Sequence, residues 1–148
     1  MTALDELIYQ AITADTDLME AVGNRVRSTC FEVSPDEQDN TPLPSIIVTD
    51  DGLQASVETK ENEWLPYEDH VTAGVEISAR SPREVRQLAG MVRRAVADYM
   101  TALSDEERPV LDAFSTDGTA WDWLKPCYFD TLRYQCTVET ESNDDDNE

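Results

Sequence analysis

Few side chains in this sequence could carry covalent or metal chemistry. A single histidine, His70, leaves no His-based metal cluster. The three cysteines, Cys30, Cys127 and Cys136, include no Cys-x-x-Cys pair, which removes zinc ribbons and thioredoxin-type redox chemistry. A Cys–His nucleophile would need one of those thiols beside His70, and no local motif supports it. Five glycines form no phosphate-cradling cluster, so there is neither a P-loop nor a dinucleotide fingerprint. Carboxylates are so numerous that any two of them say nothing about acid–base work. Asp144-Asp145-Asp146 reads as a solvated run rather than a cation site. The expectation is a non-enzyme with no catalytic residue, cofactor or metal.

Side chains suited to contact are easier to find. Trp64-Leu65-Pro66-Tyr67 lies between acids, in a polar segment that gives no reason to bury it. Exposed aromatics of this kind mark partner contacts, so Trp64, Leu65 and Tyr67 are interface candidates. Arg83, Arg86, Arg93 and Arg94 fall mostly off the apolar stripe of one predicted helix and are interface candidates, serving subunit-to-subunit ion pairs or plain solubility. Trp121 and Trp123, two apart, would share one face of a strand; core packing is their expected role.

Charge narrows the partners. There are 32 acidic and 11 basic residues, for a net charge of −21. The last ten residues hold six acids and no base, yet the body without them remains at −15. Phosphate binding needs clustered Lys and Arg, so broad attachment to nucleic acid or to an anionic membrane is disfavoured. Scarce lysine (Lys60 and Lys125) and abundant Asp fit a protein working in high salt, where self-repulsion is screened. A surface that repels DNA is the other use of such charge. The N-terminus has no basic region followed by an apolar stretch, so no secretory signal is expected. No apolar run approaches the roughly 20 residues of a membrane helix. Cys127 and Cys136, nine residues apart on one predicted strand, lie on opposite faces and cannot bond; three reduced thiols and an intracellular origin are expected.

These residues must be positioned by a short series of elements. Leu4, Leu7, Ile8, Ala11 and Ile12 repeat at helical spacing, with Asp5 and Glu6 near the positive end. A short helix capped by Asp15 or Asp17 follows, stopping at Gly23-Asn24. Arg25 to Val33 reads as a strand and Ser34 to Pro44 as a proline-bearing loop. Ser45 to Asp50 is a strand, Asp51-Gly52 a turn, Leu53 to Thr59 a strand or arm, and Lys60 to Asp69 a loop or hairpin tip. His70 to Arg80 alternates over eleven residues with His70 on the polar face. It runs into Ser81-Pro82-Arg83-Glu84, a helix start with a capping box, and a helix to about Leu103. Val110 to Ser115 is a strand, Asp117-Gly118 a hairpin signal, and Cys127 to Thr140 a long closing strand with Tyr128, Leu132, Tyr134, Cys136 and Val138 on its inner face. Residues 141–148 read as a disordered acidic tail. The fold expected is α/β (α+β): a mostly antiparallel sheet flanked by an N-terminal helix and one long helix, in a single domain over residues 1–140.

The order of these segments resembles the tail-terminator (tail-completion) proteins of long-tailed phages and archaeal viruses over residues 4–138. The likeness is carried by Asp5-Glu6-Leu7-Ile8-Tyr9-Gln10-Ala11-Ile12, then Leu18 and Val22-Gly23-Asn24-Arg25-Val26, then Leu43-Pro44-Ser45-Ile46-Ile47-Val48. It continues through Val75-Glu76-Ile77-Ser78-Ala79-Arg80-Ser81-Pro82-Arg83-Glu84-Val85 and Leu88-Ala89. The resemblance implies a structural virion protein assembled in the host cytoplasm. Such subunits form a homo-hexameric ring on the head-proximal end of the tail tube. The ring stops tube polymerisation, meets the tail tube protein and the head-completion or neck protein, and lets DNA through a lumen without binding it; no membrane is involved. An acidic lumen would repel phosphates so that DNA slides. The acidic end and the charge depart from the family pattern, and a haloarchaeal tailed virus accommodates both. Two other readings are a neck or head-completion ring protein and an acidic DNA mimic.

Overall fold

The computed structural model describes residues 3–28, 42–55 and 67–140; Cys30, Trp64, Leu65 and the acidic run 141–148 lie outside them. Helix α1 (Leu4–Ala14) buries Leu4, Leu7, Ile8, Ala11 and Ile12, as the spacing requires. Asp15 caps α2 (Thr16–Ala21), its carboxylate accepting the Leu18 N–H at 2.9 Å. Gly23 and Asn24 take φ values of 58° and 62°, a left-handed turn those two residues tolerate best, and lead into β1 (Val26–Ser28).

Strand β2 (Ser45–Ala55) pairs antiparallel with β3 (Tyr67–Ala79). Asp51-Gly52, expected as a turn, is instead a register irregularity inside one eleven-residue strand, with Gly52 at φ 103°. A bulge uses the same glycine freedom as a turn without reversing the chain. The expected loop over Lys60 to Asp69 does not include its last three residues. Tyr67 to Asp69 belong to β3, where Tyr67 pairs with Thr140 and Asp69 with both Ala55 and Val138.

Helix α3 (Pro82–Ala102) starts as its sequence dictates. The Ser81 Oγ accepts the Glu84 N–H at 3.1 Å, and Pro82 occupies the first turn. The Glu84 carboxylate reaches back to the Arg80 N–H at 3.0 Å, one residue before the position used in the standard capping box.

The last three strands are β4 (Leu111–Thr116), β5 (Ala120–Asp122) and β6 (Cys127–Thr140). The sheet order is β1-β2-β3-β6-β4, with β5 also on β6; β1 and β2 are parallel and the other pairs antiparallel. β6 pairs with the whole of β3 on one side. On the other side it meets β4 from Cys136 to Leu132 and β5 from Phe129 to Cys127. β4 and β5 therefore lie end to end, and the Asp117 N–H donates to the Thr131 carbonyl at 3.2 Å across the gap. Asp117-Gly118 is not the hairpin turn expected of it. A reversal there would leave the first half of β6 without partners on that side, a cost the main chain avoids. The chain reverses at residues 123–126 instead.

Helices α1 and α3 lie side by side on one face of the sheet, α1 over β1 to β3 and α3 over β3 and β6. Between them and the sheet sits the core, with Ile8, Ile12, Leu18, Ile46, Val75, Ile77, Val92 and Leu132 removed from solvent. Each such burial contributes about 1.5–3 kcal/mol. The α+β fold, with its mostly antiparallel sheet, N-terminal helix and one long helix, is the one expected. Among the described residues no helix is long and apolar enough to cross a membrane.

Candidate interaction surface

The sheet face away from the helices is polar and internally bonded. Arg133 on β6 lies between two carboxylates. It donates to Asp117 and stands 3.7 Å from Asp51. It can reach Asp51 because Gly74 separates them on β3. A Cβ at Gly74 would meet Asp51 Oδ2 and Thr49 Oγ1, each at 2.7 Å, and Thr49 itself donates to Asp51 at 2.8 Å. One row along, Gln135 (3.1 Å) and the Thr137 hydroxyl both donate to Asp112, and His70 Nδ1 stands 3.2 Å from Thr137. Hydrogen bonding from Thr137 holds the Asp112 carboxyl below the usual range, and Arg133 does the same for Asp117. His70 lies on this polar face, as its place in the alternation predicts. Among the described residues no group of three or more His, Cys, Asp or Glu side chains could hold a metal ion.

The β4–β5 edge differs in character. Val110 (70% exposed), Leu111, Trp121, Trp123 (83%) and Leu124 (98%) face solvent along it. Trp121 is not core, and neither is Trp123. Trp121 stacks edge-on against Tyr128 with ring centres 4.8 Å apart, and Trp123 stands edge-on to Trp121 at 5.7 Å. The core expectation failed because β5 is an edge strand beyond the cover of α3. Asp122 shapes the turn by accepting the Leu124 and Lys125 N–H groups at 3.0 and 3.4 Å, which leaves Trp123 and Leu124 at its tip. That aspartate three residues before a Lys-Pro pair is the signal by which the turn could have been found. The outward main-chain groups of β4 and β5 have no strand partner among the described residues.

Above this edge lies the exposed side of α3. Arg83, Arg86, Arg93 and Arg94 are all exposed there. At 3.6 residues per turn they fall within an arc of about 100°, Arg86 and Arg93 on the side toward β4 and Arg83 and Arg94 on the outward crest of the helix. Arg93 stands 4.6 Å over the Phe114 ring, and Arg93, Val96, Ala97, Leu111, Phe114 and Tyr134 border a cleft of about 390 Å³. Burial pushes the Tyr134 hydroxyl up to about 12, opposed by Arg93. None of the four arginines forms an ion pair among the described residues, whereas Arg80, Arg108 and Arg133 do. The interface candidates thus divide. The four arginines share a surface, Tyr67 has its main chain in β3, and Trp64 and Leu65 lie outside the described residues. Cys127 and Cys136 are free and buried on opposite faces of β6, and burial pushes both thiols up.

No family model matches this chain, and no curated protein does. Among solved structures, it is similar to a chain from the virion of a native gene transfer agent (GTA) particle. That chain is 17% identical, the match covers 93% of this chain and 95% of that one, and the TM-score is 0.49. A likeness at this level assigns no role to the chain.

Proposed function

We propose that this chain is a tail terminator. It is a virion protein that closes into a ring, taken as six subunits, on the head-proximal end of a tail tube. There it stops tube growth and receives the head-completion protein, while DNA passes through an acidic lumen. Residues 1–140 form the ring subunit and 141–148 an acidic extension outside it. Trp64, Leu65, Tyr67 and the α3 arginines serve as contacts to the neighbouring subunit or the tube.

The observation that carries this reading is the β4–β5 edge. An unpaired strand edge with five apolar side chains exposed along it is a liability for a free monomer. A ring subunit buries such an edge, and a heterologous contact is finite only when it closes. The segment that carries the family resemblance, Val75 to Val85, forms β3, a capped start and α3 in unbroken succession, in keeping with that family's order. The same unpaired arginines count against a DNA mimic, whose surface would be acidic throughout.

The test is mass by light scattering at low and at multi-molar salt, then binding to isolated tail tubes and to portal-bearing heads. The expected mass is six subunits of 16.7 kDa each, favoured by salt because screening relieves repulsion between chains of charge −21. Tubes are expected to capture the ring. Capture by heads alone would make the protein a neck component. A monomer that binds basic partners would make it a mimic.

A further inference from the structure

Cations are scarce in this chain, and most of those described are already held. Arg25 donates to the Leu43 and Pro44 carbonyls, Arg80 pairs with Glu84, and Arg133 lies against Asp51 and Asp117. Arg108 donates to the Met100, Thr101 and Leu103 carbonyls at the end of α3. Arg93 and Arg94 are exposed and pair with no carboxylate among the described residues. Two acids close by in the fold do not serve them. Asp98, one turn beyond Arg94, forms no ion pair with it. Asp112, which borders the same cleft as Arg93, accepts from Thr137 and Gln135 instead. Directly after β6, residues 141–148 hold five acids, Glu141, Asp144, Asp145, Asp146 and Glu148, and no base.

The direction of α3 brings these charges within range. It starts beside the start of β6, since Ala79 pairs with Tyr128, and runs toward the end of β6. Arg93 stands over Phe114, which pairs with Tyr134. From Tyr134 to Thr140, where β6 ends, is six residues (140 − 134), about 20 Å at 3.3 Å each. The eight residues 141–148 span at most about 29 Å when extended. Residues 145–148 therefore reach Arg93 and its neighbour Arg94. Arg83 lies ten residues nearer the start of α3 (93 − 83), about 15 Å farther, and is out of reach. We infer that the acidic run 141–148 turns back over the cleft between α3 and β4 and docks on Arg93 and Arg94 of its own chain, with Asp145, Asp146 and Glu148 as the anions. The free subunit thereby masks two of the four arginines assigned above to contacts with a neighbour or the tube. The contact itself stands without the ring; only what the masking withholds rests on that reading.

Arginine modification by phenylglyoxal, read residue by residue by mass spectrometry, tests this on the full chain. It is run at a dilution where light scattering gives one subunit, with Arg83 as the internal reference. Relative to Arg83, Arg93 and Arg94 are expected to react about two- to fivefold more slowly at low salt than in about 1 M salt, the range of exposed ion pairs before and after screening. Asp145→Asn/Asp146→Asn/Glu148→Gln, which touches none of the described elements, is expected to abolish that protection. The general loss of negative charge acts on Arg83 as well and cancels in the ratio. Arg93 and Arg94 that track Arg83 at every salt concentration, or protection that survives in the variant, would overturn the contact. Protection that grows with protein concentration would assign the anions to a second copy and overturn docking within the chain. Because the readout is taken on single subunits, its failure leaves the ring reading standing, and failure to form rings leaves this contact standing.

Discussion

Glu76 sits mid-sheet on β3 with its carboxyl pushed up, first by burial and next by Asp122, against a smaller opposing pull from Lys125. A carboxyl raised in the folded state carries a penalty that is absent below the ordinary value of 4.5 and complete above the folded value. Glu76→Gln is therefore expected to raise the melting temperature at pH 7, and the gain is expected to vanish as pH falls below 4.5. Equal gains at both pH values would contradict this origin. Asp5 obeys the same logic. Its place in the first turn of α1 favours the charge, yet burial and Asp50 outweigh the helix and its carboxyl is raised. Helix position is legible in a sequence; a second carboxylate brought up by β2 is not. Gly74 makes the opposite point. Alanine suits a strand better than glycine by about 0.5–1 kcal/mol, but here the Cβ would displace Asp51 and Thr49 and loosen Arg133. Gly74→Ala is expected to cost about 1–3 kcal/mol in urea unfolding; a stabilised variant would mean that those side chains swing aside freely.

Among the elements, α1, β3, α3 and β6 are legible because their apolar periods are long, β6 keeping its inner face although a buried Asp130 takes one place on it. Signals at the ends also read true. Ser81→Ala removes the acceptor of the Glu84 N–H and is expected to cost about 1 kcal/mol; Ser81→Asp should restore most of it. The two Asp-Gly pairs mislead in the same way. Asp51-Gly52 and Asp117-Gly118 both read as reversals, and both let an extended chain continue, with Gly52 and Gly118 at φ 103° and 88°. The local dipeptide encodes left-handed freedom and nothing more. Whether the chain turns back depends on the partner strand, and a β6 of fourteen residues offers an edge long enough to hold β4 and β5 in series. The error carries over to the surface: placing Trp121 and Trp123 together on one strand face hides the tip that presents Trp123 and Leu124.

For the whole molecule, net charge is read directly from composition, but the direction each charge faces is not. That needs α1 and α3 side by side, and the angular position of each arginine once α3 is docked. The arginine half of the surface is legible from helical spacing; the aromatic half is not, because burial of a tryptophan depends on how far the helix layer extends. Since Trp123 is 83% exposed, Trp123→Ala should change monomer stability by no more than about 0.5 kcal/mol. The same change is expected to weaken self-association tenfold or more, read as the shift in midpoint concentration by sedimentation. Unchanged association would remove Trp123 from the contact.

The central place of β6 also has a mechanical meaning. It is bonded along its length to β3, in register from Tyr67↔Thr140 to Ala79↔Tyr128, and to β4 and β5 on the other side. Tension applied along its axis loads those rungs together, in shear, so none yields before its neighbours. Tension applied sideways to β4 or β5 loads one rung at a time and peels the edge away. The same sheet is thus stiff along β6 and weak across its aromatic margin, and a partner gripping the Trp123 tip strains it least by pulling in line with β6.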